Sequence, residues 1–439
     1  MTINKKLFIF LSTHLIIWTL VPSITNNNLP LDTIEALAWG SNLEWGFNKH
    51  PPMSAFAVEL FYQIFKNQDW SYYLLSQIFV ITSFYIVYKF AEEFLENKSH
   101  AFFSILLLEG IYFYNFTTPE FNVNVCQLPF WSLTVLYAWK CIKYDKIKDY
   151  LLLGLFIACG LLSKYLFAYL VLSVGLLFAY LTVKEKKIRT KSLVIVPTFL
   201  LLLLPHLMWL VDSNYITVTY GLNRTGGEAN LLSHLTQPII FLGKQLGILI
   251  PFALMSFFII PKLKTNIRFA DRKFIFLLFV NLAPLALVFL TSMAMGVKIR
   301  TMWMTPFYLF FGVFVIYIFQ SKISINNLKK FYYTFVFLFF LSPFTYGYIS
   351  LTKDNKRTDY KGQEKAILVK KKLTDLGYKN ISSIQGNEWL AGNLCYNLKP
   401  RPKCTVQNKN DFTLMAENKK GRASFVYSQT LWLKQIMDK

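Results

Sequence analysis

The sequence predicts a mainly α-helical protein that crosses a membrane many times and ends in a small α/β domain outside the bilayer. Of its 439 residues, 54% are hydrophobic and only 16% are charged, whereas a soluble domain carries about a quarter charged residues. Apolar runs close to the ~20-residue length of a bilayer-spanning helix recur along most of the chain. From residue 352 onward the chain becomes polar, and helix-like and strand-like pieces replace the long apolar runs.

The apolar runs divide residues 1–351 into a membrane domain of about eleven expected spans. The first run follows two lysines, as in a signal peptide, but its cleavage-like residues lie too far downstream, so we expect an uncleaved span. Two short runs meet at Lys164, and they can form either a re-entrant hairpin over 148–182 or two full crossings. The expected spans are 7–24, 72–92, 101–117, 124–142, 148–163, 165–182, 191–211, 237–260, 274–294, 304–320 and 331–350.

Basic residues between the runs predict the orientation. They cluster in segments 140–148, 184–191, 262–273 and 322–330, which all fall on one side, as do the N-terminal lysines. Positively charged loops stay on the cytoplasmic side, so the outer side is expected to receive the first loop, 25–71, and the tail, 352–439. The net charge of +22 then requires no nucleic-acid partner.

The tail is predicted to be an α/β unit outside the membrane. A helical pattern covers 362–376, and short strand-like pieces lie at 381–385 and 423–427. Cys395 and Cys404 are close enough in sequence to form a small disulfide loop, and whether they do is left open. Because the chain has no Cys-x-x-Cys motif, zinc and redox functions are not indicated.

The first outer loop carries the most informative polar residues. Asp32 and Glu35 are spaced i, i+3 and would share one face of a helix, where a carboxylate can act as a general base. The same spacing also fits a helix capping box. Lys49 and His50 precede two prolines; a basic pair suits contact with a phosphate, although the prolines also suit a rigid turn.

Other outer segments bring further candidates to the same side. Glu120, Asn122 and Asn124 in the second outer loop could bind an acceptor or a sugar, or form a plain turn with a helix cap. Tyr220 begins a glycine-bearing loop, 220–227, that could close over a substrate.

Cations near the membrane surface are the remaining candidates. Lys298 and Arg300, followed by Trp303, suit a phosphate head group, or they are anchors at the membrane interface. Lys164 interrupts an apolar run, and a lysine at such a place is a functional candidate. The chain has no GxGxxG after a strand, no Walker motif and no HExxH, so ATP-driven chemistry and zinc hydrolysis are not expected.

With these residues assembled, the chain resembles a known family. LDTIEALAWGSNLEWGFNKHPPMSAF, residues 31–56, is similar to the first outer loop of bacterial glycosyltransferase family 39 proteins. That family groups with protein O-mannosyltransferases and the lipid A aminoarabinose transferase, and it has the multi-span GT-C architecture. Five later segments also resemble its bacterial branch: FNVNVCQLPFWSL (121–133), GLLSKYLFAYL (160–170), PHLMWLVDSNY (205–215), KIRTMWMTPF (298–307) and NEWLAGNLCY (387–396).

The resemblance implies an inverting transfer from a polyprenyl-phosphate sugar in a bacterial inner membrane. Asp32 matches the catalytic carboxylate, and His50 lies at or beside the basic residue that precedes a proline in the aminoarabinose transferases. Glu35 departs from the usual adjacent Asp-Glu pair, and Asn124 stands where the wider family often has Asp. Lys49, His50, Lys164, Lys298 and Arg300 would stabilise the lipid phosphate. No cofactor is expected, although the acids and amides could in principle hold a divalent metal.

The acceptor and two other classes of function stay open. A glycolipid such as lipid A or lipopolysaccharide is the first expectation, by analogy alone, and a surface glycan or a protein hydroxyl would serve as well. A polytopic transporter or a flippase for lipid-linked sugars would also carry an intramembrane cation, but such proteins tend to show paired repeats. A non-catalytic scaffold with a receptor-like tail is the third class.

Overall fold

The computed structural model describes residues 2–226, 230–260, 269–323, 328–407, 411–418 and 422–438, and most of them are helical. Residues 262–268 and 324–327, within two of the predicted basic segments, and Gly227 of the glycine-bearing loop lie outside the described residues. The helices up to residue 352 are α1 (Ile3–Thr25), α2 (Leu31–Gly40), α3 (Met53–Phe65), α4 (Asp69–Phe94), α5 (Lys98–Leu106), α6 (Val123–Cys126), α7 (Leu128–Tyr144), α8 (Ile147–Ser163), α9 (Ala168–Glu185), α10 (Ile195–Asp212), α11 (Ile216–Thr225), α12 (Ser233–Ile248), α13 (Ile250–Ile259), α14 (Arg272–Met295), α15 (Phe311–Phe319) and α16 (Leu328–Thr352).

These helices confirm a multi-pass membrane protein. Six are long and apolar enough to cross a bilayer, and the number rises to eight if each of two bent pairs is one span. The pairs α12–α13 and 301–308 with α15 bend by 48° and 49°. Each of the eleven expected spans coincides with helical structure, but 101–117 is divided between α5 and two short 3₁₀ segments.

Contacts between helix ends show that three of the predicted basic segments meet at one end of the bundle. Lys143 in the last turn of α7 pairs with Glu93 of α4 at 2.9 Å, and Arg272 of α14 pairs with Glu185 of α9 at 2.7 Å. Lys191 before α10 donates a hydrogen bond to the backbone of the α7–α8 turn. Helices α8 and α9 both connect this basic end with Lys164 at the opposite end, an arrangement that favours two crossings over a half-length hairpin.

Local signals fix where helices begin and end. Helix α14 starts at Asp271, whose carboxylate accepts the amide of Lys273 at 3.2 Å, a standard N-cap contact. It ends at Gly296 with φ of +63°, a left-handed conformation that glycine adopts without strain. Inside the bundle, His14 of α1 and Glu109 contact each other at 2.8 Å and are fully buried.

The C-terminal domain is the predicted α/β unit. Its four-stranded sheet has the order β2-β1-β3-β4, in which β1 pairs parallel with β2 and antiparallel with β3, and β3 pairs antiparallel with β4. Cys395 and Cys404 are disulfide-bonded. The elements are α17 (Gly362–Asp375), β1 (Tyr378–Gly386), α18 (Leu390–Asn397), β2 (Lys403–Val406), β3 (Thr413–Asn418), β4 (Ala423–Tyr427) and α19 (Leu431–Asp438).

This domain packs directly on the first outer loop. Helix α18 lies so close to α2 that a Cβ atom on Gly392 would come within 2.8 Å of Ile34. Arg401, before β2, pairs with Glu59 of α3 at 2.6 Å, and both side chains are less than 10% exposed. The same guanidinium also donates to the carbonyl of Leu37 and stacks on Tyr62 at 3.9 Å. A buried charge network therefore joins the two domains.

We expect Arg401→Ala to destabilise the folded protein, because it leaves the Glu59 carboxylate buried without its cation. Breaking such a buried pair typically costs about 3–5 kcal/mol. The measurement is the apparent melting temperature of the full chain in detergent. Lys403→Ala, two residues away and exposed, is the matched control. Equal melting temperatures for the two variants would contradict a stabilising role of the Arg401 network.

Candidate active site

A cavity of about 770 Å³ opens at the end of the bundle that carries the C-terminal domain. Its walls come from the first outer loop, the α8–α9 junction, α11, α14, the segment before 301–308, and the C-terminal domain. Nine of the residues that the sequence analysis singled out line this one space: Asp32, Glu35, Lys49, His50, Asn124, Lys164, Tyr220, Arg300 and Trp303.

Helix α2 is held by its N-terminus against the second outer loop. The backbone amide of Asp32 donates a hydrogen bond to Glu120 at 3.0 Å, and the hydroxyl of Thr33 donates to the carbonyl of Phe121 at 3.1 Å. The N-cap residue is Pro30, and no side chain caps this end. The alternative interpretation of Asp32 and Glu35 as a capping box is therefore wrong. Glu120 fixes the start of α2 and lies behind the cavity wall.

The Asp32 and Glu120 carboxyl groups share a poorly solvated environment. Burial raises the pKa of Asp32 above its ordinary value, whereas the charges of Lys49 and Lys164 act in the opposite direction. Burial and the charge of Asp32 raise the pKa of Glu120 to about 8. Glu120 therefore holds its proton at neutral pH, whereas at Asp32 the nearby cations oppose the effect of burial.

Lys49 lies between two carboxylates. It contacts Glu35 of α2 at 2.7 Å and Glu388 of the C-terminal domain. Burial acts to lower the pKa of Lys49, but Glu35 and Glu388 outweigh it and raise the pKa. Burial raises the pKa of Glu35 to about 8 against the opposing charge of Lys49. Lys49 is thus a charged group held by two carboxyl groups, and it ties the first outer loop to the C-terminal domain.

His50 is packed among aromatic rings. Its ring meets the edges of Trp39 and Tyr220 at centroid distances of 6.0 and 6.3 Å. Burial, together with the charges of Lys164 and Lys49, lowers the pKa of His50 to about 3. His50 is accordingly neutral at physiological pH, and it can offer a phosphate a neutral N–H but no positive charge.

Lys164 is held at the cavity end of the α8–α9 junction. Its ammonium donates to the side-chain carbonyl of Asn124 at 2.5 Å and lies 5.2 Å from the ring centre of Trp303. Neither partner carries a negative charge, and burial lowers the pKa of Lys164 to about 7 against the opposing effect of the Asp32 charge. Three residues from distant parts of the sequence, each singled out as a candidate, therefore form one cluster.

Besides Glu120, two candidates do not line the cavity. Lys298 is exposed and is not part of the cavity wall, whereas Arg300, two residues later, contributes to it. Asn122 caps α6, since its side chain accepts the amides of Asn124 at 2.8 Å and Val125 at 3.2 Å. The helix-cap alternative therefore describes Asn122.

Three charged lining residues were missed by the sequence analysis: Arg224 of α11, and Arg357 and Glu388 of the tail. Arg224 falls within the glycine-bearing loop, where a cation next to Tyr220 was a usable signal. Arg357 and Glu388 reach the cavity only because the C-terminal domain docks on it. Within the described part of the chain, Lys164, Arg224, Arg300 and Arg357 form no ion pair. Among those residues, no group of three or more His, Cys, Asp or Glu side chains is arranged to hold a metal.

Comparison with known proteins confirms the predicted GT-C type of fold. Residues 49–209 match the family model described as dolichyl-phosphate-mannose-protein mannosyltransferase. The crystal structure of ArnT from Cupriavidus metallidurans in the apo state aligns over 93% of this chain and 89% of its own, with a TM-score of 0.64 and 11% identity. The same protein bound to undecaprenyl phosphate aligns over 89% and 85%, with the same score and identity. No curated protein matches the chain in sequence.

We expect Glu120→Gln to flatten the dependence of stability on pH. In the unfolded chain the carboxyl has its ordinary pKa of 4.5, and in the folded protein the pKa is about 8. The stabilisation is complete below the unfolded pKa and is lost as pH rises through the folded value. Glutamine can still accept the Asp32 amide, and it never ionises.

The measurement is the apparent melting temperature of the full chain in detergent at about pH 6 and about pH 9. The wild type should lose more stability than Glu120→Gln over this interval, while Glu364→Gln, an exposed control, should follow the wild type. A variant that loses as much stability as the wild type would show that Glu120 is already ionised at pH 6.

Proposed function

We propose that the protein is an integral-membrane inverting glycosyltransferase that moves a sugar from a polyprenyl-phosphate carrier to an acceptor on the outer face of a bacterial inner membrane. One observation carries this proposal: Asp32 and four cations without ion pairs line a single cavity at the end of the bundle that carries the C-terminal domain. An envelope glycolipid such as lipid A or lipopolysaccharide is the proposed acceptor. The basic end of the bundle supports a cytoplasmic N-terminus and a periplasmic C-terminal domain.

The cations and the apolar wall of the cavity indicate where the lipid-linked donor binds. Lys164, Arg224 and Arg300 can receive a phosphate, and His50 can add a neutral N–H. Below them, apolar side chains of Leu166 and Val288 continue the wall toward the bundle, where a prenyl chain would lie. When the sugar leaves, negative charge grows on the lipid phosphate, and fixed cations in a poorly solvated site stabilise that charge. The lipid phosphate is already a good leaving group, so no nucleotide is required.

We assign the activation of the acceptor hydroxyl to Asp32. An acceptor hydroxyl attacks the anomeric carbon from the face opposite the phosphate, and its proton passes to the Asp32 carboxylate as the new glycosidic bond forms. The carbon–oxygen bond to the lipid phosphate breaks with its electron pair on the phosphate, which inverts the anomeric centre. Lys49 and Lys164 favour the ionised form of Asp32 that this role needs, and the Glu120 contact holds it in place.

We expect Asp32→Asn to reduce sugar transfer by about 10²–10⁴-fold, the usual contribution of a general base. The measurement is mass spectrometry of lipid A and envelope glycans from a deletion strain complemented with each variant at equal protein level. Asp354→Asn, an exposed acid outside the cavity, is the control. Near-normal transfer by Asp32→Asn would remove this residue from the catalytic role. A lipid-linked sugar moved across proteoliposome membranes with no covalent product would instead support the transporter alternative.

We expect Glu388→Gln to tighten binding of undecaprenyl phosphate, because it removes a negative charge that holds Lys49. Arg300→Ala should weaken the same binding by about tenfold, equivalent to about 1.4 kcal/mol. Lys298→Ala, which removes a neighbouring exposed cation outside the cavity wall, should leave it unchanged. The measurement is titration of the purified full chain with undecaprenyl phosphate in detergent. Equal effects of Arg300→Ala and Lys298→Ala would contradict the assigned phosphate site.

A further inference from the structure

A second, open groove leaves the catalytic cavity at Tyr220 and runs along the outer face. Its first part, about 610 Å³, follows α11 past Thr219 and Asn223. Its second part, about 290 Å³, lies between the first outer loop, the end of α10 and strand β2. Asn48 and Asn214 border both parts, so the two form one continuous path from the catalytic cavity to the C-terminal domain.

The groove and the catalytic cavity differ in charge. The cavity holds four cations without ion pairs and several acids, whereas Glu44 is the one charged side chain among the described residues that line the groove. The other polar groups are amides and hydroxyls, such as Asn214, Asn223 and Thr219. A phosphorylated or otherwise strongly charged ligand would find no counter-charge here. Uncharged groups with many hydroxyls would find donors and acceptors along the whole path.

Aromatic rings form the floor at the far end. Trp39 stacks on Phe47 at 5.2 Å between ring centres, and Trp209 lies opposite on α10. Trp39 and Phe47 are buried, whereas Trp209 is partly exposed. A flat ring beside amides presents an apolar face to the C–H side of a sugar.

We propose that this groove binds uncharged sugar residues of the acceptor, so that the acceptor is a glycan-bearing molecule whose reacting hydroxyl reaches Asp32 past Tyr220. The inference rests on the proposed glycosyltransferase function and adds the acceptor class to it. The catalytic cavity takes the charged donor phosphate, and the neutral groove takes the polyol chain. Because the donor phosphate and the acceptor sugars bind in adjoining but separate spaces, both substrates can be bound at the same time.

The test compares two acceptors and one groove variant. Thr219→Ala/Asn223→Ala removes two groove side chains from α11 without touching the catalytic cavity, and alanine is well tolerated in helices. Val211→Ala, at an exposed position of the neighbouring helix α10 that lines neither the groove nor the catalytic cavity, is the control. The acceptors are lipopolysaccharide with its core glycan and lipid A stripped of that glycan, each supplied to the purified full chain. Transfer is followed by mass spectrometry.

We expect the double variant to raise KM for the glycan-bearing acceptor at least threefold, with KM for bare lipid A and affinity for undecaprenyl phosphate unchanged. A parallel loss with both acceptors, or with neither, would overturn the proposal. Saturation-transfer NMR with a phosphate-free core oligosaccharide tests the groove without catalysis. Binding to the wild type that is lost in the variant supports it, and no binding to the wild type overturns it. Oligosaccharide binding without sugar transfer to either acceptor would reject the proposed acceptor while retaining the groove.

Discussion

The position of helix α2 is the constraint on which the site depends. Its first turn is bound to the second outer loop, because the Asp32 amide donates a hydrogen bond to Glu120. Its last turns contact the C-terminal domain, where Arg401 donates to the carbonyl of Leu37. A ten-residue helix has little stability by itself. Contacts at both ends therefore hold Asp32 at one depth relative to the bundle, and they make the C-terminal domain a structural part of the cavity.

Charges around the cavity are divided into two groups with different consequences. Lys49 forms ion pairs with Glu35 and Glu388 and joins the two domains. Lys164 forms no ion pair and is held by an amide and an aromatic ring, neither of which carries a negative charge. Keeping a cation buried without an anion is unfavourable. An anionic ligand that enters the cavity recovers this free energy, so the folded protein is prepared for a phosphate before any substrate arrives.

The sequence was informative where a polar residue breaks an apolar pattern. Asp32 and Lys164 were found in this way, and a helical bundle then brought them together. The sequence could not show which of Lys298 and Arg300 lines the cavity. The chain before residue 301 is irregular, so no helical periodicity assigns its side chains to one face. Arg357 and Glu388 left no local signal, since their place in the cavity depends on how the C-terminal domain docks. For Asn122, the sequence could not distinguish a helix cap from a residue that binds the acceptor or a sugar.

A structure of the full chain with undecaprenyl phosphate bound tests the central claim most directly. The account predicts phosphate density in the cavity between Lys164, Arg224 and Arg300, with the prenyl chain leading into the bundle past α14 and the Asp32 carboxylate facing the space beside the phosphate. Density for the phosphate at another face of the protein, or a prenyl path that leaves Asp32 separated from the phosphate by protein, would contradict it.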